Sequence, residues 1–148
     1  MADRNIPVES LKMDDRVMEF CWEPSGVRMS IVHEEEGRQK NQISFYSMGK
    51  ASGGKSLDQI RTLKEKQASR VFWAPLGGNC VLSNFENIAG HLEFYDVDNG
   101  LSMANVEHFM CNVVAWDPSG RQLCTAVCQP IGGGSLRYDM ENGESFCF

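Results

Sequence analysis

A five-residue segment that recurs three times limits the folds open to this chain more than any other feature. The segment has the order Trp-x-Pro-x-Gly and lies at residues 22–26, 73–77 and 116–120. Proline at the second position of a tight turn presets φ, and glycine suits the fourth position. In the third copy, the carboxylate of Asp117 can bond back to its own turn. We therefore predict that the chain reverses direction three times in the same way.

A tyrosine follows each tryptophan at a nearly constant distance. The offsets from Trp to Tyr are 24, 22 and 22 residues, and the two intervals between tryptophans are 51 and 43 residues. Alternating apolar runs bounded by Gly, Pro and Asn turns predict strands, about four in each repeat. A period near 40–45 residues with four strands per repeat is typical of a β-propeller blade. The repeated positions are Trp22, Pro24, Gly26, Tyr46, Trp73, Pro75, Gly77, Tyr95, Trp116, Pro118, Gly120 and Tyr138.

The predicted fold is all-β, a WD40-like β-propeller segment of about three four-stranded antiparallel blades. One four-stranded sheet cannot bury both faces by itself, so successive blades stack, and each tryptophan is expected to pack between blades. Three blades cannot close a ring that needs four to eight. We therefore expect the chain to be part of a longer protein or to depend on partners that cover its open edges.

The predicted boundaries divide one propeller fragment, residues 1–148, into four parts. They are an entry strand and linker at 1–15, blade one at 16–66, blade two at 67–108 and blade three at 109–148. The entry strand itself is predicted at 6–13. The blade strands are predicted at 17–22, 28–33, 42–48, 57–63, 69–73, 79–83, 91–97, 101–105, 111–116, 122–128, 135–140 and 144–148.

Charge is distributed unevenly along the chain. Residues 37–70 carry eight basic and two acidic side chains, a balance of +6, whereas the whole chain has a net charge of −6. A basic region on an acidic body suits an anionic partner that approaches from one side, such as nucleic acid or a ribosomal surface. The candidate contact residues are Lys50, Lys55, Arg61, Lys64 and Lys66.

Other chemistry has little support in the sequence. The six cysteines lack C-x-x-C spacing and are expected to be buried, reduced thiols. His33, His91 and His108 fall in three different units, where surface or blade-edge positions are expected, and no metal site is predicted. We also predict no catalytic residues, no cofactor, no small-molecule substrate and no membrane contact. The first ten residues resemble no secretory segment, so the expected location is the cytoplasm.

Several segments, taken in order, resemble a known family. They lie at 6–9, 20–28, 43–46, 66–68, 107–110 and 116–121. Together they are similar to the last blades of the propeller in the b subunit of eukaryotic translation initiation factor 3. Their order and spacing carry the resemblance, and no single motif is diagnostic. The sequence departs from the family after Val127, where residues 129–134 replace a longer basic segment.

The resemblance implies a non-catalytic scaffold for translation initiation that contacts the a, g and i subunits. It also implies a position on the small ribosomal subunit, with contacts to protein and to rRNA or mRNA. Residues 90–96 are similar to the propeller of initiation factor 2A, which has the same blade plan without a multisubunit complex. That relative is the alternative within the same functional class.

One motif indicates a different class of protein. Residues Gly49–Ser56 satisfy G-x-x-x-x-G-K-S, the pattern of a phosphate-binding loop. In that interpretation Lys55 would reach the phosphates, Ser56 would ligate Mg²⁺, and residues 57–67 would form a helix. The required fold is a parallel sheet with crossover helices, which the three antiparallel units do not supply. The alternative interpretation is a Gly/Ser/Lys loop between two strands of the first blade.

Overall fold

Three antiparallel sheets make up the computed structural model, which describes residues 10–34, 37, 40–51, 54–85, 87–131, 135–139 and 145–147. The first sheet has the strands β1 Arg16–Trp22, β2 Arg28–Glu34, β3 Asn41–Ala51 and β4 Gly54–Lys66, in that spatial order. The second has β5 Arg70–Trp73, β6 Asn79–Ser83, β7 His91–Asp96 and β8 Leu101–Glu107, again in chain order. The third has β9 Val113–Trp116, β10 Gln122–Ile131, β11 Ser135–Asp139 and β12 Ser145–Cys147.

The all-β prediction is confirmed, and the strand bounds agree with the predicted ones to within a few residues for most strands. The entry strand is the exception: residues 6–9 lie outside the described part of the chain, and residues 10–13 form no strand. Strand β4 is longer than predicted, because it pairs with β3 along nearly its whole length.

The third sheet has four strands but a different order from the other two. Strand β10 pairs with β9, with β11 and with β12. Strand β11 lies along residues 127–131 of β10, whereas β12 lies along residues 122–124. The two strands therefore follow successive parts of β10 instead of lying side by side. The ten residues of β10 make this possible, whereas its counterpart β6 has only five.

The three Trp-x-Pro-x-Gly turns form as predicted. In each, the glycine N–H donates to the carbonyl of the residue after the tryptophan, at 2.8, 2.9 and 3.0 Å. The glycines have φ of +71°, +77° and +69°, which is the left-handed conformation that favours glycine. Asp117 also bonds back to its turn, accepting from the N–H of Gln122 at 2.7 Å and from the hydroxyl of Ser119. These hydrogen bonds, that of Ser119 foremost, lower the pKa of Asp117.

The core lies in two layers, one on each side of the second sheet. Successive residues of a strand face opposite sides, so Cys80 and Leu82 of β6 face the first sheet while Val81 faces the third. All three are at most 1% exposed. A sheet buried on both faces explains why β6 and β7 read as apolar runs without clear alternation.

Two of the three repeated tryptophans join neighbouring sheets. Trp73 packs edge-to-face on Phe45 of the first sheet, with ring centroids 5.7 Å apart, and its Nε1 donates to Ser30 Oγ at 3.1 Å. Trp116 packs edge-to-face on Phe94 of the second sheet, and its Nε1 donates to the carbonyl of Phe72. The prediction that tryptophan packs between blades is confirmed for these two. Trp22 differs, because 45% of it is exposed.

Candidate interaction surface

The basic candidates cluster on the hairpin formed by β3 and β4. Lys50 and Lys55 occupy paired positions near its tip, although their side chains lie outside the described residues. Arg61 and Lys64 lie on β4, the outer strand of the first sheet, and the side chain of Arg61 is exposed. The guanidinium of Arg61 lies against Gly100, in the turn between β7 and β8, where even one added methyl group would collide with it. Lys66 is the last residue of β4, so the structure places all five candidates along one hairpin.

Lys66, the fifth candidate, has a different role. It is half-buried, and its Nζ lies 2.8 Å from both carboxylate oxygens of Glu93 in the second sheet. A lysine held by both oxygens of a largely buried carboxylate is not available to an anionic partner. We therefore assign Lys66 to the contact between the first two sheets.

Further polar contacts join the turns of these two sheets. The carboxylate of Glu23, which is 4% exposed, accepts from the N–H of Gly78 at 2.8 Å. Arg28 pairs with Asp98 at 2.6 Å and lies 3.5 Å from Glu23. Apart from the position of Glu23 in its repeated turn, no sequence signal indicates these contacts.

The interpretation of Gly49–Ser56 as a phosphate-binding loop is wrong. Gly49 pairs with Ser56, Lys50 with Lys55 and Ala51 with Gly54, as in an antiparallel hairpin. Strand β4 then runs through the residues that would form the helix of a nucleotide-binding fold. Without a helix that begins after Ser56, there is no helix N-terminus to hold phosphate. Residues 52–53 at the tip lie outside the described residues.

A chain of hydrogen bonds crosses the first sheet and was not foreseen from the sequence. Asp15 Oδ2 lies 2.6 Å from Nδ1 of His33, and Nε2 of His33 lies 2.8 Å from Oγ of Ser44. Ser44 Oγ also lies 2.8 Å from Oγ1 of Thr62. The order Asp-His-Ser resembles a hydrolase triad, but Ser44 is 2% exposed and a substrate has no access to it. These hydrogen bonds connect the segment before β1 to strands β2, β3 and β4.

The histidine prediction is corrected at two positions. His33 and His108 are 5% and 8% exposed, so they are buried rather than at the surface. His108 Nδ1 lies 2.8 Å from Thr125 Oγ1, which joins the segment after β8 to β10 of the third sheet. Within the part of the chain that the structure describes, no group of three or more His, Cys, Asp or Glu side chains could hold a metal ion.

The cysteines divide into buried and accessible thiols. Cys80 and Cys111 are buried as predicted, whereas the prediction is wrong for Cys124, which is exposed. Leu123 and Thr125 are both fully buried, so the alternation of β10 turns Cys124 to the opposite face. Burial, with smaller effects of Glu93 and Cys21, raises the pKa of Cys80 well above its usual value.

We expect N-ethylmaleimide to modify Cys124 in the folded chain while Cys80 stays unmodified until urea is added. The reactive species is the thiolate, and the Cys80 thiol is both inaccessible and protonated. Mass spectrometry of peptides from the labelled protein measures this, and labelling in urea supplies the control in which both react. Rapid labelling of Cys80 in the folded chain would contradict its position in the core.

Comparison with known proteins places this architecture in a family. The profile of the family described as "Eukaryotic translation initiation factor eIF2A" matches residues 1–143. The B subunit of eukaryotic translation initiation factor 3 from Nicotiana tabacum is 35% identical over 147 residues, which cover 97% of this chain and 19% of the relative. Its counterpart from Xenopus laevis is 33% identical over 127 residues, 86% of this chain and 18% of the relative. The chain thus spans about a fifth of the length of these relatives.

Solved structures support the same fold. One described as "Crystal structure of the eukaryotic initiation factor" superposes with a TM-score of 0.67 at 17% identity, covering 82% of this chain and 29% of that one. The β-propeller domain of Cps50 (Swd1) from Myceliophteria thermophila gives a TM-score of 0.56 at 12% identity, covering 82% of this chain and 37% of that one. The described residues contain no helix that could span a bilayer. On the match over residues 1–143, the chain belongs to the eukaryotic translation initiation factor eIF2A family, and the resemblance to the B subunit of initiation factor 3 is confirmed.

Proposed function

We propose that this chain forms part of a non-catalytic propeller scaffold in eukaryotic translation initiation factor 3. There it would support assembly of the pre-initiation complex on the small ribosomal subunit, in the cytoplasm. Its similarity to the B subunit of that factor supports the proposal. The observation that carries it is the set of polar contacts between the first two sheets, together with the basic residues along the β3–β4 hairpin of the first sheet. The blade boundaries at 16–66, 67–108 and 109–148 belong to the same proposal.

A scaffold has to hold its surfaces in fixed relation to one another. Three polar contacts connect the first sheet to the second. They are the ion pairs of Lys66 with Glu93 and of Arg28 with Asp98, and the hydrogen bond from the Gly78 N–H to Glu23. Four of the charged side chains in these contacts are at least partly buried, so dissolved ions screen their interactions less than at the surface. These side chains are Lys66, Glu93, Arg28 and Glu23. The two sheets would therefore move as one body and present the β3–β4 hairpin in a defined direction.

The hairpin suits an anionic surface. Lys50, Lys55, Arg61 and Lys64 lie along β3 and β4, while the chain as a whole is acidic. Lysines that neutralise phosphates release bound counterions, which makes affinity fall as salt rises. Ribosomal RNA is the anionic surface that the small subunit offers. Arg61 also contacts Gly100, so the three lysines provide the cleaner test.

Replacing Lys50, Lys55 and Lys64 together by Glu should weaken co-sedimentation of the chain with small ribosomal subunits. If each lysine neutralises one phosphate, the slope of log affinity against log salt should become shallower by about 2 to 3. Sedimentation at a series of KCl concentrations measures both quantities.

A matched control variant carries the same change in charge elsewhere. Lys12, Arg16 and Arg121 lie off the β3–β4 hairpin, and replacing these three by Glu should leave the slope nearly unchanged. Equal losses in both variants would point to net charge alone and count against a role of the hairpin. An unchanged affinity in the lysine variant would do the same.

The alternative within the family is a propeller that acts outside the multisubunit complex, as in initiation factor 2A. The family profile matched by residues 1–143 carries that factor's description. Purification of the tagged chain from eukaryotic cytosol distinguishes the two functions. Recovery of other factor 3 subunits, with a, g and i expected, supports the scaffold. Recovery of small ribosomal subunits without those proteins supports the alternative.

A further inference from the structure

The turn between β7 and β8 contains an asparagine followed by a glycine, Asn99 and Gly100. Asparagine side chains are chemically labile. A following glycine makes them more so, because glycine has no side chain to cover the backbone nitrogen that attacks the amide. Asn99 is exposed, so water reaches it. The turn therefore holds both reactants of an intramolecular reaction, the carboxamide of Asn99 and the backbone nitrogen of Gly100.

Both residues have a structural reason to occupy this turn. Gly100 has φ of +72°, in the left-handed region that favours glycine. A Cβ added there would also collide with the guanidinium of Arg61. Asn99 donates its side-chain amide to Oδ2 of Asp96 at 2.7 Å. The geometry of the turn thus requires a pair of residues that is chemically reactive.

Asp96 forms a hydrogen bond with each of the reacting groups. Its Oδ2 accepts from the side-chain amide of Asn99, and its Oδ1 accepts from the N–H of Asn99 at 2.9 Å. Its backbone carbonyl accepts from the N–H of Gly100 at 2.8 Å. The side-chain bond from Asn99, followed by the bond from its N–H, lowers the pKa of Asp96, so this acceptor stays charged at neutral and alkaline pH. Both reactants are therefore restrained while the turn is closed.

We propose that Asn99 is a modification site, at which loss of the side-chain amide is controlled by opening of the β7–β8 turn, and that Asp96 holds this turn closed. Once the turn opens, hydroxide removes the proton of the Gly100 nitrogen, and that nitrogen bonds to Cγ of Asn99. The bond from Cγ to Nδ2 breaks, and ammonia leaves with a proton from water. Water then opens the resulting cyclic imide at either carbonyl, which gives aspartate or isoaspartate.

The product of this reaction alters a joint between the first two sheets. A carboxylate at position 99 cannot donate to Asp96, and it adds negative charge beside Asp96 and Asp98. Isoaspartate also lengthens the backbone of the turn by one carbon atom. Asp98 pairs with Arg28 of the first sheet at 2.6 Å. Displacement of the turn therefore weakens this contact.

Incubation in mildly alkaline buffer, followed by peptide mass spectrometry, measures conversion at Asn99. Conversion should be at least about tenfold slower in the folded chain than in urea, because a closed turn must first open at a cost in free energy. The sequence has one other Asn-Gly pair, Asn142 and Gly143, and both asparagines should convert at similar rates in urea. Equal rates at Asn99 with and without urea would overturn the restraint. Conversion of Asn142 alone in urea would overturn the site.

Asp96→Ala tests which residue restrains the reaction. It removes both carboxylate acceptors, so Asn99 in the folded variant should convert at least about fivefold faster than in the unchanged chain. Asp14→Ala is the control, since Asp14 is an exposed carboxylate before β1, and it should have no effect. Unmodified Cys80 after maleimide treatment shows that a variant is folded. If Asp96→Ala fails this check, Asp96→Asn replaces it, because it retains one acceptor. Unchanged conversion in the folded variant, or equal acceleration by Asp14→Ala, would overturn the role of Asp96.

Asn99→Asp tests the effect assigned to the product. It should unfold at a lower urea concentration than Asn99→Ala. Both variants lose the amide that donates to Asp96, but only Asn99→Asp adds a negative charge beside Asp96 and Asp98. Equal urea midpoints for the two variants would overturn the proposed weakening of the joint.

Discussion

Trp73→Ala should lower the free energy of unfolding by about 3–5 kcal/mol, the usual cost of removing a buried tryptophan. Trp73 is 6% exposed and packs on Phe45, which is fully buried. The substitution leaves a cavity between the first two sheets and removes the donor to Ser30 Oγ. Urea unfolding followed by circular dichroism measures the change. Since about 1 kcal/mol corresponds to 2–4 °C in a chain of this size, Tm should fall by more than about 6 °C.

Trp22→Ala is the matched control for this prediction. Trp22 occupies the same place in its repeat, but 45% of it is exposed. We expect it to cost well under half as much as Trp73→Ala, because less apolar surface is lost and the cavity is smaller. If the two substitutions cost the same, the contacts of Trp73 with Phe45 and Ser30 would not be what joins the first two sheets.

Gly90→Ala should destabilise the chain by clearly more than the roughly 1–2 kcal/mol that a left-handed conformation costs an ordinary residue. Gly90 has φ of +63°, and an added Cβ would lie 1.8 Å from the carbonyl oxygen of His108. That oxygen belongs to the backbone, so the side chain can be accommodated only if the two loops move apart. Their separation would break the bond from the His108 N–H to the Gly90 carbonyl. Urea unfolding by tryptophan fluorescence measures the loss.

Gly26→Ala separates the two causes. Gly26 also has a positive φ, +71°, but an added Cβ would meet no atom within 4 Å. This variant should therefore show only the conformational cost, near 1–2 kcal/mol. If Gly90→Ala cost no more than Gly26→Ala, the close approach of the two loops would be refuted.

The strands and turns could be predicted because their causes are local. Proline and glycine at fixed positions of a turn act over four residues, and the alternation of a strand over about six. The predicted bounds at 79–83 coincide with β6, where both signals are clear. The prediction for 6–13 was wrong at residues 10–13, where apolar residues alternate but no described strand pairs with them. Alternation by itself thus indicates a strand without supplying its partner.

The candidate surface was predicted only in part. The excess of basic residues at 37–70 was visible in the sequence, and all five candidates do lie on one hairpin. The role of Lys66 was not visible, because its partner Glu93 lies 27 residues away on another sheet. The same holds for His33, which is buried with both ring nitrogens hydrogen-bonded, to Asp15 and Ser44 at sequence separations of 18 and 11.

The sequence by itself determined the strand-turn repeat and, through the order of its motifs, the family. These depend on residues that are near one another in the chain, where backbone preference and hydrophobic alternation decide the conformation. The tertiary structure decided which side chains meet across sheets: Trp73 with Phe45, Lys66 with Glu93, and the backbones at Gly90 and His108. Such contacts depend on how one twisted sheet lies on the next, and a local pattern carries no information about that orientation.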